Sequence, residues 1–389
     1  MDVTPAQMKP EIIAISSEIG RGHPSYLDSV LLSLSSQPGF KPNMLSLVTL
    51  DQICTGLSKH TWNIARSLYR AGAKGGILTT IYNRLRKDGK PSSLQLALLG
   101  SSLRKQFAGF TGICLVEHPI IAHILASVCK TAYLHGEIAA PSVAAVPEAW
   151  RTFVPLESTA SRLQALGVKR EALCVTGLVI EPELISQAEH AFMNRLDHYR
   201  SARPLTIGFF TSGAYPKPHV DRMLAGAKSC WETGHRPIVF AGRDLKRTKY
   251  LARKLQELDV PVIPVKYLFS GQPIFITAPD RRKETALTAE IFSQLDVMVA
   301  ACHERTNWAI GLGLPMFALM PNIGPFAPMN YGFAFKQGVC LPLGDASHLG
   351  SDITRFQKDH ELEQMASKGF GKYPINGAEE ISRFLLKEI

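Results

Sequence analysis

What this chain lacks narrows its class before any motif is read. Among its 389 residues there is no Cys-x-x-Cys pair, and the seven cysteines, at positions 54, 114, 129, 174, 230, 302 and 340, are odd in number and scattered. Most lie in apolar stretches such as ICLV and ALCV, which favours buried free thiols in a reducing compartment over a disulfide framework or a zinc site. Asp/Glu pairs with metal-site spacing are missing too, so no metal is expected. No apolar run reaches the roughly 18 residues that span a bilayer. Asp2, Glu11 and Glu18 spoil a secretory leader, and a cytoplasmic location is the expectation. Solenoid repeats and low-complexity tracts are absent. With 46% hydrophobic residues and mean hydropathy near zero, the chain can bury substantial cores, and its length suits two domains.

Acids are missing from one stretch in particular. Residues 57–110 hold ten basic residues, Lys59, Arg66, Arg70, Lys74, Arg84, Arg86, Lys87, Lys90, Arg104 and Lys105, against one acid, Asp88, and so carry +9 of the chain's net +10. Trp62, Leu68, Tyr82 and Leu98 are among the apolar residues interleaved with them. A basic helix with aromatic and aliphatic residues on another face suits an anionic membrane surface. Trp62, Arg84, Arg86, Lys87, Arg104 and Lys105 are the residues expected to face it, making the protein peripheral to a membrane. The plainer reading, a solvated face on a packed helix, ranks second. Nucleic acid ranks third, because no nucleic-acid motif is present and the helices are too apolar for a phosphate stripe; no nucleic-acid partner is expected.

Along the first half, apolar runs (EIIAIS, MLSLVTL, GICLVEH, TAYLH, TFVPL, LCVTGLV) alternate with helical spacings, the signature of a parallel sheet covered on both faces. Near Glu181 the pattern becomes a charged helix, ELISQAEHAFMNRLDHYRS, which reads as a linker. The alternation then restarts with LTIGFFTSG, PIVFAGR, VPVIPV, PIFITA, DVMVAA and PMFALMP. An acceptor-side domain over 1–185, a second domain over 200–373 and a closing amphipathic helix over 374–389 are expected.

The stretch SSEIGRGHPSY, residues 16–26, leaves the first strand through Gly20, Arg21 and Gly22 and presents His23 just before a helix begun by YLDSVLLSLS. Strand ends and helix N-termini converge at such turns, which is where open α/β sheets bind ligands. Glycines let a ligand approach the backbone, and the free N–H groups of a first helical turn favour an anion or a hydroxyl. By itself Gly-x-Gly is as well read as an ordinary turn with a surface histidine.

These segments, taken in order, resemble the GT-B glycosyltransferases, in particular the monogalactosyldiacylglycerol synthases and the related peptidoglycan N-acetylglucosaminyltransferases. The resemblance is carried by GRGHPS, VEHPIIAHIL, EAWRTFVPLESTASRLQALGV and CVTGLVIEPEL in the first half, and by GFFTSGAY, FAGRD, LDVMVAA, GLGLPMFALMP and NYGFAFKQGVCLPL in the second. It implies an α/β protein of two Rossmann-like domains facing each other across a cleft, with the acceptor on the first and a nucleotide-diphosphate sugar on the second. That sugar is a co-substrate, and no cofactor is implied. The sequence departs from the family in the donor half. Asn307 stands where the family carries a ribose-binding glutamate, and Phe326, Ala327 and Pro328 precede Asn330 where the family has Gln or Glu; Glu304 is the nearby acid.

The implied reaction is inverting transfer of the sugar to a hydroxyl, with a lipid acceptor suggested by the basic segment. His23 is the candidate base, since an imidazole titrates near neutrality, and Gly20, Arg21 and Gly22 form the acceptor loop. His118 is a second, weaker candidate. The donor would be held by the Thr211-Ser212-Gly213 turn, Arg243, Glu304, Arg305, Thr306, Asn307 and Asn330. Two other readings stay open: a catalytically lapsed, membrane-associated binding protein on the same fold, and a sugar-nucleotide epimerase.

Overall fold

The computed structural model describes residues 10–72, 91–213, 215–264 and 272–389. Arg84, Arg86 and Lys87 lie outside the described residues. The chain forms two compact units: one comprises the described residues through Tyr69, those from 91 to Val179 and the terminal Asn376–Ile389, and the other holds the described residues that start at Arg70, together with Ile180–Ile375.

In the first unit, β1 (Ile12–Ser16), β2 (Leu45–Thr49), β3 (Ile113–Val116), β4 (Lys130–Leu134), β5 (Arg151–Val154) and β6 (Leu173–Val175) pair in the order β2-β1-β3-β4-β5-β6, all parallel. Every residue of β3 is buried, as expected where helices cover both faces of a parallel sheet. Those helices are α1 (Gly22–Ser35), α2 (Leu50–Ile53), α3 (Gly56–Gly72), α4 (Ser93–Phe107), α5 (Pro119–Leu125) and α6 (Glu157–Ala165). Tyr26, Leu27, Val30 and Leu34 of α1 seal the core over Ile12 and Ala14 of β1.

The second unit runs through α7 (Pro182–Ile185), α8 (Ala188–Arg200), β7 (Thr206–Phe210), α9 (Lys217–Glu232), β8 (Arg236–Gly242), α10 (Leu245–Glu257), β9 (Ile274–Thr277), α11 (Arg281–Ile291), β10 (Val297–Ala300), α12 (Thr306–Gly311), β11 (Met316–Leu319), α13 (Ala327–Lys336), β12 (Cys340–Leu343), α14 (Leu349–Lys358) and α15 (Glu361–Gly369). Its sheet is again parallel, ordered β12-β11-β10-β7-β8-β9. Of VPVIPV, the described residues 260–264 form no strand of this sheet, and Pro264 makes an isolated bridge to Phe275. The two prolines of that segment remove the N–H groups a ladder needs.

The last helix, α16 (Gly377–Lys387), returns to the first unit. Ile381 and Leu385 join the core beneath α1, and the Ser382 hydroxyl donates to Val30 O at 3.0 Å. The charged helix between the two strand series is not a solvated connector. As α8 it packs into the second unit, where the fully buried Arg195 donates from Nε to Leu295 O and from Nη1 to Leu312 O, each at 2.7 Å.

One turn further along α8, His198 Nδ1 meets Asp296 Oδ1 at 2.8 Å, while Asp296 Oδ2 accepts the Thr206 N–H at 2.7 Å. This hydrogen bond raises the His198 pKa above the usual imidazole value. A raised folded-state pKa contributes stability that is complete below the unfolded value and is lost as pH rises through the folded one. Unfolding at a series of pH values is therefore expected to show wild type more stable than His198→Ala by up to about 1 kcal/mol at pH 6, the side chain being one-third exposed. The difference is expected to shrink on going to pH 9.

Candidate functional site

In the first unit the chain's polar chemistry collects at the C-terminal ends of β1, β3 and β4, three neighbours in the sheet. After β1 the backbone turns at Gly20, whose φ of 73° is a conformation that glycine adopts without strain. Helix α1 then starts at Gly22, so His23 sits in its first turn; Arg21 O accepts both the Ser25 N–H at 3.0 Å and the Ser25 hydroxyl at 2.9 Å. The His23 ring packs edge-on against His118, centroids 5.7 Å apart. His118 caps α5, and Pro119 follows at its first position. The Trp62 ring touches His118 from α3 at 6.0 Å.

Beside them, Glu117 directly follows β3 and has no exposed surface. Its Oε1 accepts the Ser17 N–H at 2.7 Å, and Oε2 has no hydrogen-bond partner among the described residues. Burial pushes its pKa up to about 7, with the nearby Glu18 charge adding to the effect. From β4, Tyr133 Oη lies 3.2 Å from His135 Nδ1. Burial, reinforced by the His23 charge, lowers the His135 pKa to about 3 and keeps that ring neutral. Behind them Gly136 lies against the Tyr26 ring so closely that a β-carbon there would come within 2.3 Å. The strand ends thus offer one carboxyl poised near neutrality, one neutral imidazole and the His23–His118 pair, a set suited to moving protons.

Glu117, Tyr133 and His135 were not singled out from sequence. The signal was available, because VEH and YLH both close apolar runs that read as strands, and the strand-end rule applied to His23 holds equally for them.

Trp62 does not face outward. It is buried, and its indole N–H donates to Leu99 O at 3.0 Å. The outer face of α3 is carried instead by Leu57, Ile64 and Leu68, at 62%, 47% and 61% exposure. Leu94 and Leu98 lie exposed on α4, where Lys105 is exposed and Arg104 half-buried.

In the second unit, the expected donor residues fall at the ends of β7, β8 and β10, which are adjacent in the sheet. Thr211 Oγ1 donates to Phe240 O at 3.0 Å, joining the ends of β7 and β8. Ser212 Oγ accepts the Tyr215 N–H at 3.3 Å, and Arg247 Nη1 donates to Gly213 O at 3.0 Å, fixing the turn against α10. Arg243, exposed, directly follows β8. Asn330 of α13 reaches back to donate to Cys302 O at 3.2 Å.

The segment after β10 is occupied differently. Arg305 is 4% exposed. Its guanidinium meets Glu304 Oε1 at 2.9 Å and Glu284 Oε1 at 3.6 Å, and it lies over the Phe210 ring at 4.4 Å. Glu304 and Arg305 therefore neutralise each other inside the fold. Thr306 and Asn307 are buried in the first turn of α12, and the Thr306 hydroxyl has no partner among the described residues. His219, on α9, was also not foreseen: its Nε2–H donates to Pro321 O at 2.8 Å, and burial lowers its pKa to about 4.

No protein-family model matches this chain, and no curated protein matches it in sequence. Solved structures do match over nearly its whole length. A UDP-GlcNAc 2-epimerase from Neisseria meningitidis bound to UDP-GlcNAc aligns with a TM-score of 0.57 and 14% identity, over 97% of this chain and 99% of that one. The S. aureus MnaA–UDP co-structure aligns at 0.54 and 13%, over 98% of each. A UDP-glucose:anthocyanidin 3-O-glucosyltransferase in complex with UDP aligns at 0.50 and 11%, over 97% and 95%. Identities this low establish architecture alone, and with the two six-stranded parallel sheets they give the chain the GT-B fold, two Rossmann-like domains.

Proposed function

We propose that the protein is a glycosyltransferase, moving a sugar from a nucleoside-diphosphate donor held by the second unit to a hydroxyl of a membrane-lipid acceptor held by the first, with inversion. The observation that carries this reading is the double use of α3. Its inner face places Trp62 against His118, which touches His23, while its outer face presents Leu57, Ile64 and Leu68 to solvent. One helix thus links a proton-transfer cluster to an apolar surface that a lipid bilayer would cover. The resemblance to monogalactosyldiacylglycerol synthases supports the same reaction, and so does a fold shared with a glucosyltransferase that binds UDP.

In this reading His23 takes the acceptor proton as the new glycosidic bond forms and the bond to the diphosphate breaks. Charge on the leaving diphosphate is met by the backbone N–H groups of Ser212 and Gly213, by the start of α9, which has no acidic residue in its first turn, and by Arg243. Thr306 and Asn330 add hydrogen-bonding groups. Arg305, already paired with Glu304 and Glu284, supports the site from within.

A second reading, a sugar-nucleotide epimerase, is favoured by the buried Glu117, whose pKa of about 7 suits proton abstraction from carbon, and by the architecture shared with a UDP-GlcNAc 2-epimerase. Incubating the protein with a nucleotide sugar alone in heavy water separates the two. An epimerase incorporates deuterium at the sugar's C2 without acceptor; a transferase leaves the sugar unlabelled and releases nucleotide only when acceptor is added.

For the transferase, His23→Ala is expected to lower kcat by about 10²–10⁴-fold and to leave donor affinity unchanged, read by steady-state kinetics beside equilibrium binding. Unaltered turnover would remove His23 from the mechanism. Ile64→Asp with Leu68→Asp is expected to weaken sedimentation with phosphatidylglycerol vesicles by about tenfold or more. Because both side chains are exposed, thermal stability is expected to hold.

A further inference from the structure

Two cysteines in the first unit stand apart from the rest in their placement. Cys114 lies in β3, fully buried. Cys129 follows α5 in the turn that leads into β4 and is half-buried. Their sulfurs are 3.3 Å apart, and the Cys129 sulfur also lies 3.6 Å from the Thr131 hydroxyl. We propose that Cys114 and Cys129 are a site of reversible thiol oxidation, closing to a disulfide on exposure to a hydroperoxide.

The geometry supports this in three ways. The sulfurs already touch, and β3 and β4 are paired neighbours, with Cys114 opposite Thr131, two residues along the chain from Cys129. Only one of the two thiols is near solvent, which assigns the roles. The two thiols also differ in acidity. Cys129 is held below the ordinary cysteine value by its hydrogen bond with Cys114, with Thr131 assisting against burial. Cys114 is held above it by the same hydrogen bond and by burial. Cys129 is therefore the thiolate that meets the oxidant.

The steps balance. The Cys129 thiolate attacks the peroxide oxygen, the O–O bond breaks, and the leaving hydroxide or alkoxide takes a proton, giving Cys129 sulfenic acid. The Cys114 sulfur then attacks the Cys129 sulfur. The S–S bond forms, the S–O bond breaks, and the departing hydroxide takes the Cys114 proton as water. Two thiols lose two electrons in all, and the peroxide is reduced to water and water or alcohol. The bond closes a loop over residues 114–129 that contains Glu117, His118 and α5, constraining the unfolded chain more than the folded one. Oxidation is thus a clamp on the part of the fold that carries the acidic and basic cluster, whichever reaction that cluster serves.

The test uses the full-length reduced protein, treated with hydrogen peroxide, alkylated and digested without reductant. The expected result is a peptide pair joined through Cys114 and Cys129, short of two hydrogens in mass. A thermal midpoint raised by about 5 °C that returns on adding dithiothreitol is expected with it. Cys129→Ser is expected to abolish both effects and Cys54→Ser to leave both unchanged. The cross-link is read in the wild-type chain, so failure of a variant to fold does not decide the outcome. Full alkylation of both thiols after peroxide, oxidation of Cys129 to sulfinic acid without a cross-link, or a link to another cysteine would each overturn the proposal.

Discussion

The C-terminal strand ends of the second unit depend on the buried cation Arg305. Arg305 stands at the C-terminal end of the sheet between two carboxylates, Glu304 and Glu284, with its guanidinium over Phe210 at the end of β7 and beside Trp308 of α12. Trp308 in turn donates its indole N–H to Glu181 at 2.9 Å, so the ends of β7 and β10, the start of α12 and the chain entering the unit are joined through one side chain. Taking such a group out of water costs several kcal/mol, recovered only because its partners are already in place; losing one partner of such a set costs about 3–5 kcal/mol. Burial lowers the Arg305 pKa, with Glu304 and Glu181 opposing that change. The loop after β10 is held in one conformation by this knot, and the Thr306 hydroxyl is left at its edge.

The first unit solves the equivalent problem with less charge. Its strand ends hold a carboxyl that titrates near neutrality, a histidine kept neutral by burial and a histidine pair in edge-on contact. Groups of low or switchable charge are cheap to bury and able to exchange protons, whereas a paired arginine is rigid and fixed in protonation. The strand ends of one sheet thus hold groups whose protonation can change, and those of the other hold a fixed charge.

Much of this was legible in the residues. Short β-branched runs alternating with helical spacing gave both parallel sheets, and the glycine turn before His23 lies where the strand-to-helix pattern put it. What the pattern missed follows from its physics. Periodicity reports which face is buried but not what a buried polar group meets, so Arg305 looked like a cation free for a ligand when two carboxylates, one of them twenty-one residues upstream, already held it. Trp62 was read as outward-facing because its neighbours are basic, yet an aromatic ring on an amphipathic helix serves an inner face as readily. Glu117 and His135 were passed over because a single polar residue at a strand end has no motif. The helix α8 read as a linker because its composition is charged, although Arg195 shows that a charged side chain can be spent entirely on buried carbonyls.

The central claim is that the second unit holds a nucleoside diphosphate through its β7 turn and Arg243. Calorimetric titration of nucleoside mono- and diphosphates, and of their sugars, into the full chain tests it most directly. The account predicts a diphosphate bound with a Kd below about 1 mM and at least about tenfold more tightly than the matching monophosphate, with Arg243→Ser weakening the diphosphate alone. No measurable heat from any nucleoside diphosphate or nucleotide sugar at millimolar concentration would contradict it.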